Sequence, residues 1–222
     1  DVIVSAFGSA GQRCSALRVL YVQEDILEKC QRLLIGTMKE LVIGDPGYLT
    51  TDIGPVIDQA ALKTIQHHVE KQAAILYQCP LPETLDSGTF MPPTLIKLTK
   101  MSDLSQEIFG PVLHLIAFKQ TELDQVIEQI NATGYGLTFG IHSRINQRVH
   151  YLKQRVHAGN CYVNRNMIGA VVGLQPFGGE GLSGTGPKAG GPLYLPRFCL
   201  ERTFTVDTTA AGGNASLMSF PD

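Results

Sequence analysis

The sequence has no uninterrupted apolar run approaching the roughly 20 residues that a membrane-spanning helix needs. Nor has it an excess of either charge: 18 Lys and Arg stand against 20 Asp and Glu, for a formal net charge of −2. The cations are scattered and form no basic stripe of the kind that a nucleic-acid backbone demands. A membrane span and a nucleic-acid partner are therefore not expected. The five cysteines (Cys14, Cys30, Cys79, Cys161 and Cys199) are far apart, odd in number and without any C-x-x-C pair. That pattern argues against a disulfide framework and against structural zinc, and points to a reducing, cytoplasmic setting. No internal repeat is present. The chain opens on Asp1 with no charged-then-apolar leader, and reads as a piece of something longer. What remains is a globular composition, 44% hydrophobic over 222 residues, long enough to bury a sizeable core.

Along the chain, Leu17–Val22 is an apolar run that reads as a strand. Ile26, Leu27, Cys30, Leu33, Leu34, Met38 and Leu41 then recur at helical spacing and predict an amphipathic helix over Glu24–Leu41, stopped by Gly44-Asp45-Pro46-Gly47. Asp58 suits a helix cap, and the following pattern predicts a helix to about Ile75. His67 and His68, adjacent on that helix, point about 100° apart and cannot share a metal as an i,i+4 pair can. They read as partly exposed surface histidines, and no metal site is expected. Strands and helices then alternate: Thr94–Leu98, Val112–Phe118, helix Glu122–Asn131, Thr138–His142, helix Asn146–Val156 and Cys161–Val163. This alternation predicts an α/β fold, a mostly parallel twisted sheet between helical layers. Beyond Gln175, Gly and Pro leave little regular structure until Phe198–Val206, which reads as a strand. Residues 207–222 read as a small, polar extension.

Chemistry concentrates first at Phe7-Gly8-Ser9-Ala10-Gly11-Gln12-Arg13-Cys14-Ser15-Ala16. A cysteine on a glycine-containing turn, ahead of a strand and beside a cationic Arg13, can be held as a thiolate nucleophile; a lone cysteine is more often a small buried thiol. Glu107-Ile108-Phe109-Gly110-Pro111-Val112 places an acid immediately before a strand, where it can serve a ligand or merely cap a loop. Gly179-Glu180-Gly181-Leu182-Ser183-Gly184 fits a dinucleotide-binding fingerprint, with Glu201 about 20 residues on. Pro187, Pro192 and Pro196 follow, however, where the fingerprint needs a helix whose N-terminus receives the pyrophosphate. The loop reads instead as backbone that must pass close to another segment, with N–H groups clustered as in an anion nest.

Together these segments resemble the aldehyde dehydrogenase superfamily, whose active-site string is F-x-x-x-G-Q-x-C and whose cofactor motif is E-x-F-G-P-V. Gly44-Asp45-Pro46, Thr51-Asp52-Ile53-Gly54-Pro55, Gly134-Tyr135-Gly136-Leu137, Gly159-Asn160-Cys161-Tyr162-Val163-Asn164 and Pro176-Phe177-Gly178-Gly179 agree in order and separation. The variant Gly11-Gln12-Arg13-Cys14-Ser15-Ala16-Leu17 looks most like the L-glutamate gamma-semialdehyde (pyrroline-5-carboxylate) dehydrogenases. Gly181–Pro187 and Thr208–Ser216 resemble members fused into larger bacterial proline-catabolic proteins.

The resemblance implies an aldehyde-dehydrogenase-like catalytic domain over 1–206, with 207–222 as an extension and the cofactor-binding domain elsewhere in the polypeptide. It implies Cys14 as the catalytic nucleophile, Glu107 and Phe109 at the cofactor NAD, and Ser15, Gly190, Gly191 and Phe198 at the substrate. Ser15 and the two glycines would grip an alpha-carboxylate while Phe198 packs the methylene chain. It further implies a small-molecule aldehyde substrate, a homo-oligomer when intact, and a cytoplasmic protein peripheral at most to the bacterial inner membrane. The family's general base and oxyanion amide have no counterpart among these residues, so the chain alone is expected to be inactive. Two other readings stay open: a cysteine hydrolase, which needs a His beside Cys14, and an interaction module that keeps only the fold.

Overall fold

The computed structural model describes residues 1–83, 85 and 87–207. The expected C-terminal extension therefore lies, from residue 208 onward, outside the described residues. A short helix, α1 (Val2–Phe7), leads into the Cys14 turn and then β1 (Val19–Gln23), α2 (Glu24–Lys39) and α3 (Gln59–Glu70). Next come β2 (Ile75–Gln78), β3 (Thr94–Leu98), β4 (Val112–Phe118) and α4 (Leu123–Ala132). The last elements are β5 (Tyr135–Gly136), β6 (Thr138–Ile141), α5 (Asn146–Arg155), β7 (Asn160–Val163) and β8 (Glu180–Gly181).

The main sheet has the order β1-β4-β3-β2, with β1 and β3 parallel to β4 and β2 antiparallel at the edge. β4 is the centre. Its residues Val112 to Ile116 are buried without alternation, so both faces are covered, as a parallel strand between helical layers requires. Leu95, Ile96, Val112, Leu113 and Leu115 are wholly buried in the core, which Leu34 and Met38 of α2 and Leu62, Ile65 and Val69 of α3 help to close. α2 carries Glu24 and Asp25 in its first turn and Lys39 in its last, matching the helix dipole at both ends. α3 is capped by Asp58, whose carboxylate accepts the Ala61 N–H at 2.7 Å. Such a cap contributes about 1 kcal/mol.

Three expectations are corrected. The helix after Asp58 ends at Glu70, and Ile75–Gln78 forms β2, because β-branched and aromatic side chains there pair with the edge of β3. The segment from Phe198 to Val206 is no strand: after a 3-10 turn at Pro196–Phe198 it has no ladder partner, and Phe198, Leu200, Phe204 and Val206 are exposed. The alternating strands do not all join one sheet either. β6 and β7 form a separate parallel pair with its own small core of Ile127, Ile141, Leu152 and Val156. At Gly179–Gly184 no helix follows; β8 pairs antiparallel with β5, and the glycines serve close backbone approach, as expected.

Candidate active site

The turn that carries Cys14 is built from strained backbone. Ser9, Ala10 and Gly11 take φ of 56°, 52° and 66°, three successive left-handed residues of which only glycine pays no steric cost. Side chains hold it. Arg13 Nε donates to Ser9 Oγ at 2.9 Å, Ala16 N–H to the Arg13 carbonyl at 3.0 Å, and Gln12 Oε1 accepts the Ile57 N–H at 2.8 Å. Gln12 thereby ties the turn to the loop after Gly54-Pro55. The outcome is an exposed thiol at Cys14 on a fixed loop, and the Cys14 N–H has no backbone partner among the described residues.

Glu107 and Phe109 come to this turn through two contacts. Gly11 passes so close to Gly110 that any side chain at Gly11 would collide with the Gly110 carbonyl. Arg18 supplies the second contact. Its Nε donates to Glu107 Oε1 at 2.9 Å, its Nη1 to the Gly11 carbonyl at 2.5 Å and its Nη2 to the Arg13 carbonyl at 3.1 Å, while its face lies 4.6 Å from the centre of the Phe109 ring. The Arg18 side chain is 14% exposed and that of Glu107 49%. Burial pulls the Arg18 pKa down, against the opposing pull of Glu107 and of the nearby Cys14.

Behind Arg18 lies a histidine pair. His114, wholly buried in β4, donates its backbone N–H (3.0 Å) and faces its Nδ1 (2.9 Å) to the Arg18 carbonyl, and its Nε2 lies 2.9 Å from His68 Nε2. A carbonyl only accepts, so Nδ1 carries the proton, and Nε2 must accept from His68. Burial pushes His114 down to about 4 and lowers His68 as well. His67 is exposed and His68 partly exposed, as expected, but His68 also reaches 46 residues along the chain to a buried partner.

The proposed substrate residues form a second group. Ser15 is buried, and its hydroxyl makes no hydrogen bond among the described residues; its carbonyl accepts from Thr138 Oγ1 at 3.4 Å. Thr138 is the ladder partner of Asn160 across β6 and β7. Asn160 in turn holds the loop that bears the glycines: its Nδ2 donates to the Pro176 carbonyl (3.0 Å), its Oδ1 accepts the Gly178 N–H (3.1 Å), and Lys188 Nζ bonds the Gly159 carbonyl beside it. Phe177 and Ala189 bridge the two arms of that loop. One hydrogen bond, one rung and one side chain thus join Ser15 to the Gly190 loop. Gly190, at φ 73°, leaves its N–H unbonded among the described residues, whereas the Gly191 N–H already closes a turn onto Lys188 at 3.0 Å. Phe198 stacks edge-on against Tyr194 and is 69% exposed. Among the described residues no hydrogen bond or ring contact joins it to Cys14 or Ser15.

Sequence reasoning missed Arg18, Asn160 and His114. Arg18 was masked by its apolar run, although a cation inside such a run was the available signal. Among the described residues no histidine hydrogen-bonds Cys14, and no cluster of three or more His, Cys, Asp or Glu is placed to hold a metal ion.

A cysteine on a strained turn, packed against an acidic-aromatic loop at one end of a parallel strand pair, defines an α/β domain organised around a thiol. The match to the Aldehyde dehydrogenase family model runs over residues 1–204, and the chain belongs to that family. It is 54% identical over 210 residues to a bifunctional protein PutA of Klebsiella aerogenes, covering 91% of this chain and 16% of that one. It is 39% identical to a 1-pyrroline-5-carboxylate dehydrogenase of a Geobacillus species, covering 88% and 38%. A crystal structure of a mutant proline utilization A of Bradyrhizobium japonicum superposes with a TM-score of 0.88 at 50% identity, over 95% of this chain and 22% of that one. A 1-pyrroline-5-carboxylate dehydrogenase from Thermus with bound NAD gives 0.80 at 33% identity, over 89% and 38%. The chain thus spans well under half the length of these relatives. Among the described residues no helix is long and apolar enough to cross a membrane.

Proposed function

We propose that this chain is the nucleophile-bearing part of an NAD-dependent L-glutamate gamma-semialdehyde dehydrogenase that works in proline catabolism within a longer polypeptide. The observation that carries the proposal is the convergence of Cys14 with Glu107 and Phe109, joined by Arg18 and by the close passage of Gly11 and Gly110. The names of the relatives support the substrate, and the unbonded Ser15 hydroxyl and Gly190 N–H fit one end of a carboxylate-bearing aldehyde. Residues 1–206 form the catalytic unit. The cofactor-binding domain, the general base and the oxyanion amide come from elsewhere in the polypeptide, so the chain alone is inactive.

NAD fits the residues present: Glu107 keeps Oε2 free of hydrogen bonds among the described residues and half exposed, as ribose hydroxyls need, with the half-exposed Phe109 ring beside it. When bound, NAD would supply the hydride acceptor beside Glu107 and Phe109. Cys14 Sγ bonds the aldehyde carbon to give a thiohemiacetal, and its backbone N–H is free to stabilise the oxyanion. Loss of hydride leaves a thioester on Cys14, which water cleaves to glutamate and the free thiol. A hydrolase reading finds no histidine base bonded to Cys14 among the described residues.

The test compares kcat/KM for glutamate semialdehyde and for an uncharged aldehyde of similar length in the intact enzyme. Cys14→Ala should abolish both. Ser15→Ala should cost about 1.5–3 kcal/mol on the charged substrate alone, roughly 10- to 150-fold. Equal losses on both substrates would refute the carboxylate role and leave Ser15 as a support of the turn.

A further inference from the structure

We infer that Arg18 is a positioning residue, a clamp that fixes the cofactor-facing carboxylate of Glu107 relative to the Cys14 turn. The inference rests on the proposed role of Glu107. A guanidinium is planar, with donors splayed in one plane and an apolar face above it. Arg18 uses both: in plane it reaches Glu107, Gly11 and Arg13, and its face lies over Phe109. The two accepting carbonyls flank Gln12 in the nucleophile turn, while the other two contacts belong to the loop of Glu107 and Phe109. One side chain therefore bridges the groups that must face the same hydride-transfer region from opposite sides.

The bond to Glu107 takes only Oε1 and leaves Oε2 for a ligand, so the clamp does not compete with the proposed function of the acid. Arg18 is itself anchored from behind. Its carbonyl accepts both the N–H and the Nδ1 of His114, so the backbone from which the guanidinium projects is tied to the central strand. Lysine could pair with Glu107 but could not fork to the two carbonyls.

The test uses the intact dehydrogenase with Arg18→Met, Arg18→Lys, Glu107→Gln and the double variant Arg18→Met with Glu107→Gln. KM for NAD, the rate of Cys14 alkylation by iodoacetamide without NAD, and the melting temperature are read for each. Glu107→Gln and Arg18→Met should each raise KM for NAD roughly tenfold or more, and the double variant should be no worse than either single one, because one residue acts through the other. Arg18→Met should also slow alkylation of Cys14, which Glu107→Gln leaves unchanged. Arg18→Lys should recover most of the KM for NAD but not the alkylation rate. If Arg18→Met fails to fold, Arg18→Lys decides through that split. Multiplying losses in the double variant, or a full recovery of both readouts by lysine, would overturn the clamp. An unchanged KM in Glu107→Gln would refute the cofactor role of Glu107, and the alkylation rates would still decide whether Arg18 holds the turn.

Discussion

The buried His114 makes stability depend on pH in a definite direction. Its folded pKa lies at about 4 against an ordinary 6.5, and burial is the main cause. The unfolded chain therefore takes up the proton first as pH falls. The stabilisation is complete above about pH 6.5, and it is lost as pH drops from there toward 4. The full difference corresponds to roughly 3 kcal/mol, of which about 2 kcal/mol is lost between roughly pH 7 and pH 5. Protonation also brings a new donor at His114 Nε2 against the His68 Nε2–H at 2.9 Å, so His68 must change tautomer or move. His68, lowered in the same direction, adds to the slope. Urea unfolding of wild type and His114→Gln at the two pH values isolates the effect, since contributions from distant carboxylates cancel in the difference. The variant should be weaker near pH 7 but lose about 2 kcal/mol less on acidification. Equal losses in both proteins, or a His114 proton resonance that titrates near 6.5 in the folded state, would refute the reasoning.

Gly11→Ala should lower the melting temperature and raise KM for NAD together, because a left-handed φ costs about 1–2 kcal/mol for a residue with a Cβ and the Gly110 carbonyl leaves no room for it; thermal melts and steady-state kinetics check it. Asn160→Ala removes an acceptor for Gly178 and a donor to Pro176, and should reduce kcat/KM for glutamate semialdehyde about 5- to 100-fold while an uncharged aldehyde is much less affected. The purified 222-residue chain should reduce no NAD in the presence of glutamate semialdehyde, which a spectrophotometric assay decides.

β3 and β4 were legible residue for residue, because buried parallel strands leave continuous β-branched and leucine-rich runs between glycine and proline stops. The cysteine turn and the Glu107 loop were legible as motifs, but their meeting was not. It depends on Arg18 reaching 89 residues along the chain, a distance across which local patterning says nothing. The His68–His114 pair was hidden for the same reason: an i,i+1 pair of histidines shows which directions they point, not what lies in those directions. β2 was lost because Ala73 and Ala74 continue a helical pattern, and only the free edge of β3 makes extension preferable. The missing strand after Phe198 is the converse case, extended-looking residues that pair with no strand among the described residues.

On the proposed substrate role of Ser15 and Gly190, the rung between Thr138 and Asn160 acts as a ruler between the two. A shift of β7 by one residue would turn Asn160 to the opposite side of the ladder and release the Gly190 loop from the strand that meets Ser15. Sequence drift in the α5 crossover leaves that ruler intact so long as both strands keep their phase, because extra length there is taken up outside the ladder. If Ser15 and Gly190 hold the substrate as proposed, a change of strand phase would alter what the site accepts without rebuilding the loop around Gly190.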